Sequence, residues 1–98
     1  MTAPSIESLE KLLGTPRDGA LLRFSLGMAH AKLDDAGKAI DYFRQAVERD
    51  PGYSAAWRAL GKALEAAGRD SEALAAFRDG IAAAQKKAVV RYIVRVIG

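Results

Sequence analysis

The chain contains no cysteine. That excludes a disulfide framework and any thiolate-ligated metal, and it fits a reducing compartment. Only one histidine, His30, is present, so no multi-histidine metal cluster can be assembled. Long apolar runs are missing as well: no uncharged apolar stretch approaches the roughly 18 residues a membrane span needs. The opening MTAPSIESLEKLLGTPRD carries acids and a proline where a signal peptide needs a basic start and a continuous apolar run. The expectation is a soluble, cytoplasmic protein.

Acidic residues are missing from the end of the chain. All 12 lie at or before Asp79, while Lys86, Lys87, Arg91 and Arg95 follow with no acid among them. Residues 1–85 therefore hold 11 basic and 12 acidic groups, a net of −1, and the overall +3 and pI near 9.4 belong to the segment that follows Gln85. The body is nearly neutral, and nothing in the tail resembles a recognition helix with polar base-reading side chains, so nucleic acid ranks last among partners.

No catalytic constellation survives inspection. ALGKAL lacks the upstream glycine and the Ser/Thr of a phosphate-binding loop. His30 reads as a packing or helix-surface histidine, and the adjacent Asp34 and Asp35 read as caps between two helices, where short acids satisfy orphan backbone groups and tolerate left-handed dihedrals. A non-enzyme is expected, with no cofactor and no metal.

What is present is helical periodicity. In AAWRALGKALEAAG, Trp57, Leu60, Gly61 and Leu64 fall at i, i+3, i+4 and i+7, one helix face. In DSEALAAFRDGIAAA, Ala73, Phe77, Gly80 and Ile81 share another face, and AAGRD between them supplies Gly68 as a stop and Asp70 or Ser71 as a start. The pair reads as a helical hairpin. Sliding the sequence against itself at an offset of 34 superposes Leu60 on Leu26, Gly61 on Gly27, Ala63 on Ala29, Ala73 on Ala39, Phe77 on Phe43 and Arg78 on Arg44. A mid-helix glycine costs about 1 kcal/mol relative to alanine. Its recurrence at one register implies a neighbour too close for a Cβ.

Trp57, Leu60, Gly61, Leu64, Ala73 and Phe77, with DPGY after the first copy, resemble the tetratricopeptide repeat, whose period is about 34 residues and whose pattern is Trp-x-x-Leu-Gly…Ala-x-x-x-Phe…Pro. The resemblance covers residues 20 to about 86. The first copy departs from the pattern at Arg23, where the family prefers a large aromatic, with Phe24 beside it, and at His30.

Extending the register outward gives the ends. Residues 5–13 read as the second helix of a preceding unit, with Ile6, Leu9 and Leu13 as its stripe and Gly14-Thr15-Pro16 as its stop. Repeat 1 is expected at 20–53, repeat 2 at 54–86, and a terminal helix at 87–98 in the position of a third unit's first helix. The expected architecture is all-α, one domain: a short right-handed α-α superhelix of two tetratricopeptide-like hairpins flanked by an N-terminal and a C-terminal helix, six helices in all, with each pair contacting mainly its neighbours.

The resemblance implies that the first helix of each hairpin lines a concave face. It would present Leu21, Phe24, Met28 and Lys32 from repeat 1, and Ala55, Arg58, Lys62 and Glu65 from repeat 2, a groove half apolar and half basic. Such a groove suits a peptide or partner protein, acidic or amphipathic, whose apolar anchors meet Phe24 and Met28. Two blander readings stay open: Phe24 turned into the core in place of the aromatic missing at Arg23, and Arg58 and Lys62 as a solvated face. Relatives that clamp a chaperone's C-terminal carboxylate use lysine and asparagine where this chain has Phe24 and Met28, so that ligand is not expected.

The stretch KKAVVRYIVRVIG fits least. A terminal helix needs a polar outer face, yet apolar residues from Val89 to Ile97 surround most of this one. Three accounts compete: a helix that pairs with a second chain in a weak homodimer through Tyr92, Ile93 and Ile97; a segment cut short of further structure; or β-branched residues left extended or disordered. Two functions from different classes therefore stand: a peptide-binding adaptor using the concave groove, and a self-associating scaffold using the last helix.

Overall fold

The computed structural model describes residues 5–97, whose regular elements are all helices, with no strand among them. The elements are α1 (Ile6–Glu10), α2 (Ala20–Lys32), α3 (Ala36–Arg49), α4 (Ser54–Ala66) and α5 (Asp70–Ile97). Each boundary has a local cause. Ser5 caps α1 by accepting the Ser8 N–H at 3.1 Å, and Asp35 caps α3 by accepting the Lys38 N–H at 3.1 Å. Between the helices of each hairpin the chain turns through a left-handed residue, Asp34 (φ 57°) in the first and Gly68 (φ 76°) in the second, at equivalent places in the two repeats. Pro51-Gly52 separates α3 from α4.

The helices α2 and α3 form one hairpin and α4 and α5 a second, joined where α3 lies against α4; among the described helices α1 packs on α2 alone. The core follows the repeat. Leu26 and Leu60, Ala39 and Ala73 are buried in pairs, with Phe43 fully enclosed and Phe77 half-covered. The recurring glycines face these two rings: a Cβ on Gly27 would lie 2.5 Å from Phe43 Cε1, and one on Gly61 would lie 2.6 Å from Phe77 Cε1. The close neighbour is thus an aromatic ring of the same hairpin's second helix.

Two expectations about the ends are corrected. The N-terminal helix ends at Glu10, because Leu12 and Leu13 bond back to Leu9 and Glu10 in tight i→i+3 turns, and Gly14 then adopts φ 76°. The stretch 87–98 is not a separate sixth helix: to Ile97 it continues α5 without a break, and Gly98 lies outside the described residues. The reason is visible one repeat period earlier. Where repeat 1 has Asp50-Pro51-Gly52-Tyr53, α5 has Ala84-Gln85-Lys86-Lys87, and strong helix formers replace the turn residues. The account of an extended or disordered end is likewise not what the structure adopts.

Candidate functional site

The first helix of each hairpin carries the residues expected to recognise a partner, and they distribute over three hollows. Leu21, Phe24 and Met28 border a hollow of about 680 Å³ between α1 and α2, with Ile6 and Leu9 opposite. Met28 also borders a second, of about 410 Å³, which it shares with Lys62. Arg58 borders a third, of about 530 Å³, between α4 and α5. Glu65 is exposed on α4 and lines none of the three. Met28 and Lys62 are therefore brought together; Arg58 stands apart from them.

The Met28–Lys62 hollow exists because its walls are alanine. Ala31 on α2, Ala36 and Ala39 on α3, and Ala59, Ala63 and Ala66 on α4 line it above an edge of Phe43, and methyl groups are too short to close the gap. The α4 trio recurs at i, i+4 and i+7, a stripe readable in the sequence but passed over for its charged neighbours. Asp34 and Lys62 supply opposite charges to the lining. An apolar floor with a few polar groups at its edge is the form of a side-chain anchor site.

Phe24 borders the α1–α2 hollow and also packs against the core. Its ring is half-buried, 5.7 Å from Phe43 and 5.0 Å from Tyr53 between centroids, both tilted. Burial, and then the charge of Asp50, push the Tyr53 hydroxyl up from its ordinary value.

Arg23, at the aromatic position, does with charge what Trp57 does with an indole. Trp57 Nε1 donates to the Pro51 carbonyl at 2.8 Å, tying α4 to the linker before it. Arg23 donates to both Asp18 carboxylate oxygens, at 3.0 and 2.8 Å, and also bonds Gln45 on α3. Asp18 accepts the Gly14 N–H as well, at 2.9 Å. The Arg23 hydrogen bonds, then that of Gly14, hold the Asp18 carboxyl well below the usual range, and Asp18 raises Arg23 in return. Sequence reading missed this pair; the charged residue at the register of Trp57 was its signal. Glu72 is also lowered, by Arg69 first and then Arg44.

His30 is buried, its ring stacked on Tyr42 at 5.5 Å and 11°. Among the described residues no group of three or more His, Asp or Glu could hold a metal, and no helix is long and apolar enough to cross a membrane. Tyr92, Ile93 and Ile97 are exposed near the end of α5.

The fold and its repeated hairpin have counterparts among known proteins. The tetratricopeptide repeat pattern matches residues 26–95. TPR repeat-containing protein PA0015 of Pseudomonas aeruginosa is 47% identical over 79 residues, which cover 81% of this chain and 75% of that protein. A crystal structure of MamA superposes with a TM-score of 0.80 at 25% identity over 85% of this chain, which spans only 48% of the MamA chain. The solution structure of protein BPP2914 from Bordetella parapertussis gives 0.72 at 38% identity, over 89% of this chain and 76% of that one. The chain thus belongs to the tetratricopeptide repeat family, whose members are protein–protein interaction modules and typically non-catalytic scaffolds.

Proposed function

We propose that the protein binds a peptide segment of a partner across α2 and α4, with one apolar side chain of that segment anchored in the alanine-walled hollow between Met28 and Lys62. The observation that carries this reading is the hollow itself, about 410 Å³ with an apolar floor and Lys62 in its lining. Met28 is unbranched and adapts to anchors of different shape. Lys62, and Arg58 one turn earlier on α4, favour an acidic or amphipathic segment.

The test is capture of partners from native lysate by the wild type, by Ala66→Phe, which fills the hollow from an exposed position, and by Arg58→Glu with Lys62→Glu. Both variants should keep their helical circular dichroism and lose the captured partner. Retention of that partner by both would move the site elsewhere.

A second reading is self-association through the end of α5. It is favoured by one observation: Tyr92, Ile93 and Ile97 are all exposed on a helix whose backbone, among the described residues, approaches only α4.

A further inference from the structure

The repeat contains both halves of an unused contact. The second helix of each hairpin carries two apolar residues seven apart, Ile40 and Val47 on α3 and Leu74 and Ile81 on α5, and the N-terminal segment has Ile6 and Leu13 at the same register, Leu13 just past the end of α1; each pair is displaced by 34. The helix α2 follows the first pair, which is partly covered, and α4 follows the second, where Ile40 is 3% and Val47 5% exposed. Nothing follows the third within the described residues, and Leu74 is 51% and Ile81 59% exposed. Ile81 borders the 530 Å³ hollow with Phe77, Gly80 and Ala84, an open seat where a third first helix would lie.

The chain also carries a helix of that kind. The inward stripe of the first helices is Leu22, Leu26 and Ala29 on α2, and Ala56, Leu60 and Ala63 on α4; adding 34 gives Val90, Val94 and Ile97. These are exposed by 54%, 61% and 79%. Arg95 occupies the register of Gly27 and Gly61, where the atoms nearest an added Cβ belong to a phenylalanine of the same hairpin's second helix. Among the described residues no second helix follows Ile97, so no such ring lies against Arg95 there.

The fused helix separates the two halves within one copy. At about 1.5 Å per residue, Ile81 and Val94 lie roughly 20 Å apart along a single axis, and no turn residue between them lets the end fold back. We infer that the occupant of the seat formed by Leu74, Phe77 and Ile81 is the Val90, Val94 and Ile97 stripe of a second copy. The inference rests on the self-association reading and names its surface. The contact is head to tail: Val90 is nine residues past Ile81, two and a half turns at about 3.6 residues per turn, so stripe and seat point to opposite sides of α5. One straight α5 therefore offers its stripe to one neighbour and its seat to another, a heterologous contact that adds copies instead of closing as a twofold pair.

Sedimentation across a concentration series tests this with two double variants, Leu74→Glu with Ile81→Glu in the seat and Val94→Glu with Ile97→Glu in the stripe. All four positions are solvent-exposed, so helical circular dichroism should be retained. The wild type should grow in mass with concentration, each variant alone should stay at one chain, and their equimolar mixture, which restores one intact contact, should reach two chains and stop. A seat variant that associates like the wild type would overturn the inference while leaving self-association through Tyr92 and Ile93 standing; a wild type that stays at one chain would overturn both. A mixture that does not recombine also overturns the proposed contact. An independent variant grafts the repeat 1 turn onto α5 (Ala84→Asp, Gln85→Pro, Lys86→Gly, Lys87→Tyr). It should fold its own end back onto its own seat and remain a single chain, and continued association would count against the fused helix as the cause.

Discussion

Gly61 and the ring of Phe77 fit together as a socket and its filling: a Cβ at residue 61 would lie 2.6 Å from Cε1 and 2.8 Å from Cζ of that ring. The same relationship holds between Gly27 and Phe43, with one difference. Phe43 is only 1% exposed, whereas Phe77 is half-covered, borders the open hollow between α4 and α5 and has room to swing aside. Alanine gains about 1 kcal/mol in helix propensity, and overpacking a core costs about 1–3 kcal/mol. Gly27→Ala should therefore lower the urea midpoint more than Gly61→Ala. Gly61→Leu should lower it far more than Lys62→Leu, which alters only the hollow's edge. Gly61→Ala with Phe77→Leu should recover part of the loss, and purely additive effects would show that the ring is not the obstacle.

The Asp18–Arg23 pair sets the acid limb of stability. The Asp18 carboxyl has an ordinary value of 3.8 and is depressed in the folded protein. The folded state therefore binds its proton less readily than the unfolded chain. The stabilisation is complete above the ordinary value and is lost as pH falls from about 4 through the depressed folded value. Melting temperatures measured from pH 7 downward should fall more steeply for the wild type than for Asp18→Asn below pH about 4. Parallel curves would remove the pair from the account.

Glu72 makes a useful contrast. It too is depressed, bridging Arg69 and Arg44 at 2.7 Å each, but all three side chains are nearly half exposed. Exposed pairs are screened and lose side-chain entropy when they form. Glu72→Gln should leave the melting temperature within experimental error in moderate salt, where Asp18→Asn lowers it clearly at pH 7.

Asp34 occupies the left-handed turn that glycine fills at position 68. A non-glycine residue there is strained, mildly for aspartate and severely for a β-branched residue. Asp34→Gly should be neutral to stabilising by up to about 1 kcal/mol, and Asp34→Val should destabilise. The order of the three thermal midpoints, Gly, Asp, Val, is the check.

If the partner is an acidic segment seated in the Met28–Lys62 hollow, as proposed, binding depends on ionic strength. Captured partner should fall as salt rises, since pairs at an exposed rim lose strength with screening, and Met28→Ala should weaken binding equally at low and high salt. A salt-independent interaction would leave Lys62 out of it.

Much of the fold was legible because the same side chains recur where the same contact recurs. Leu26 with Leu60, Ala39 with Ala73 and Phe43 with Phe77 mark one interior twice. The parts that escaped are those where one copy substitutes different chemistry. Arg23 replaces an aromatic, and its partner Asp18 lies in a loop that periodicity does not describe. At Ala84-Gln85-Lys86-Lys87 the informative signal was the lack of a proline or glycine in a register that has both in the preceding repeat, and an eye set on matching positives passes over it. The groove was legible only as a list of positions along two helices; how they divide into three hollows depends on side-chain lengths across α2, α4 and α5.

The single tryptophan lies at the joint between the two units. Trp57 belongs to α4, its indole N–H is held by Pro51 in the linker from α3, and its Cβ lies 2.9 Å from where a Cβ on Gly80 of α5 would stand. Its emission therefore reports on three structural elements at once, two of one repeat and the linker to the other. In a quasi-one-dimensional array, where neighbouring repeats couple but need not melt together, that makes Trp57 fluorescence a readout of whether the second hairpin opens before the first. Circular dichroism, summed over every helix, does not separate the two events.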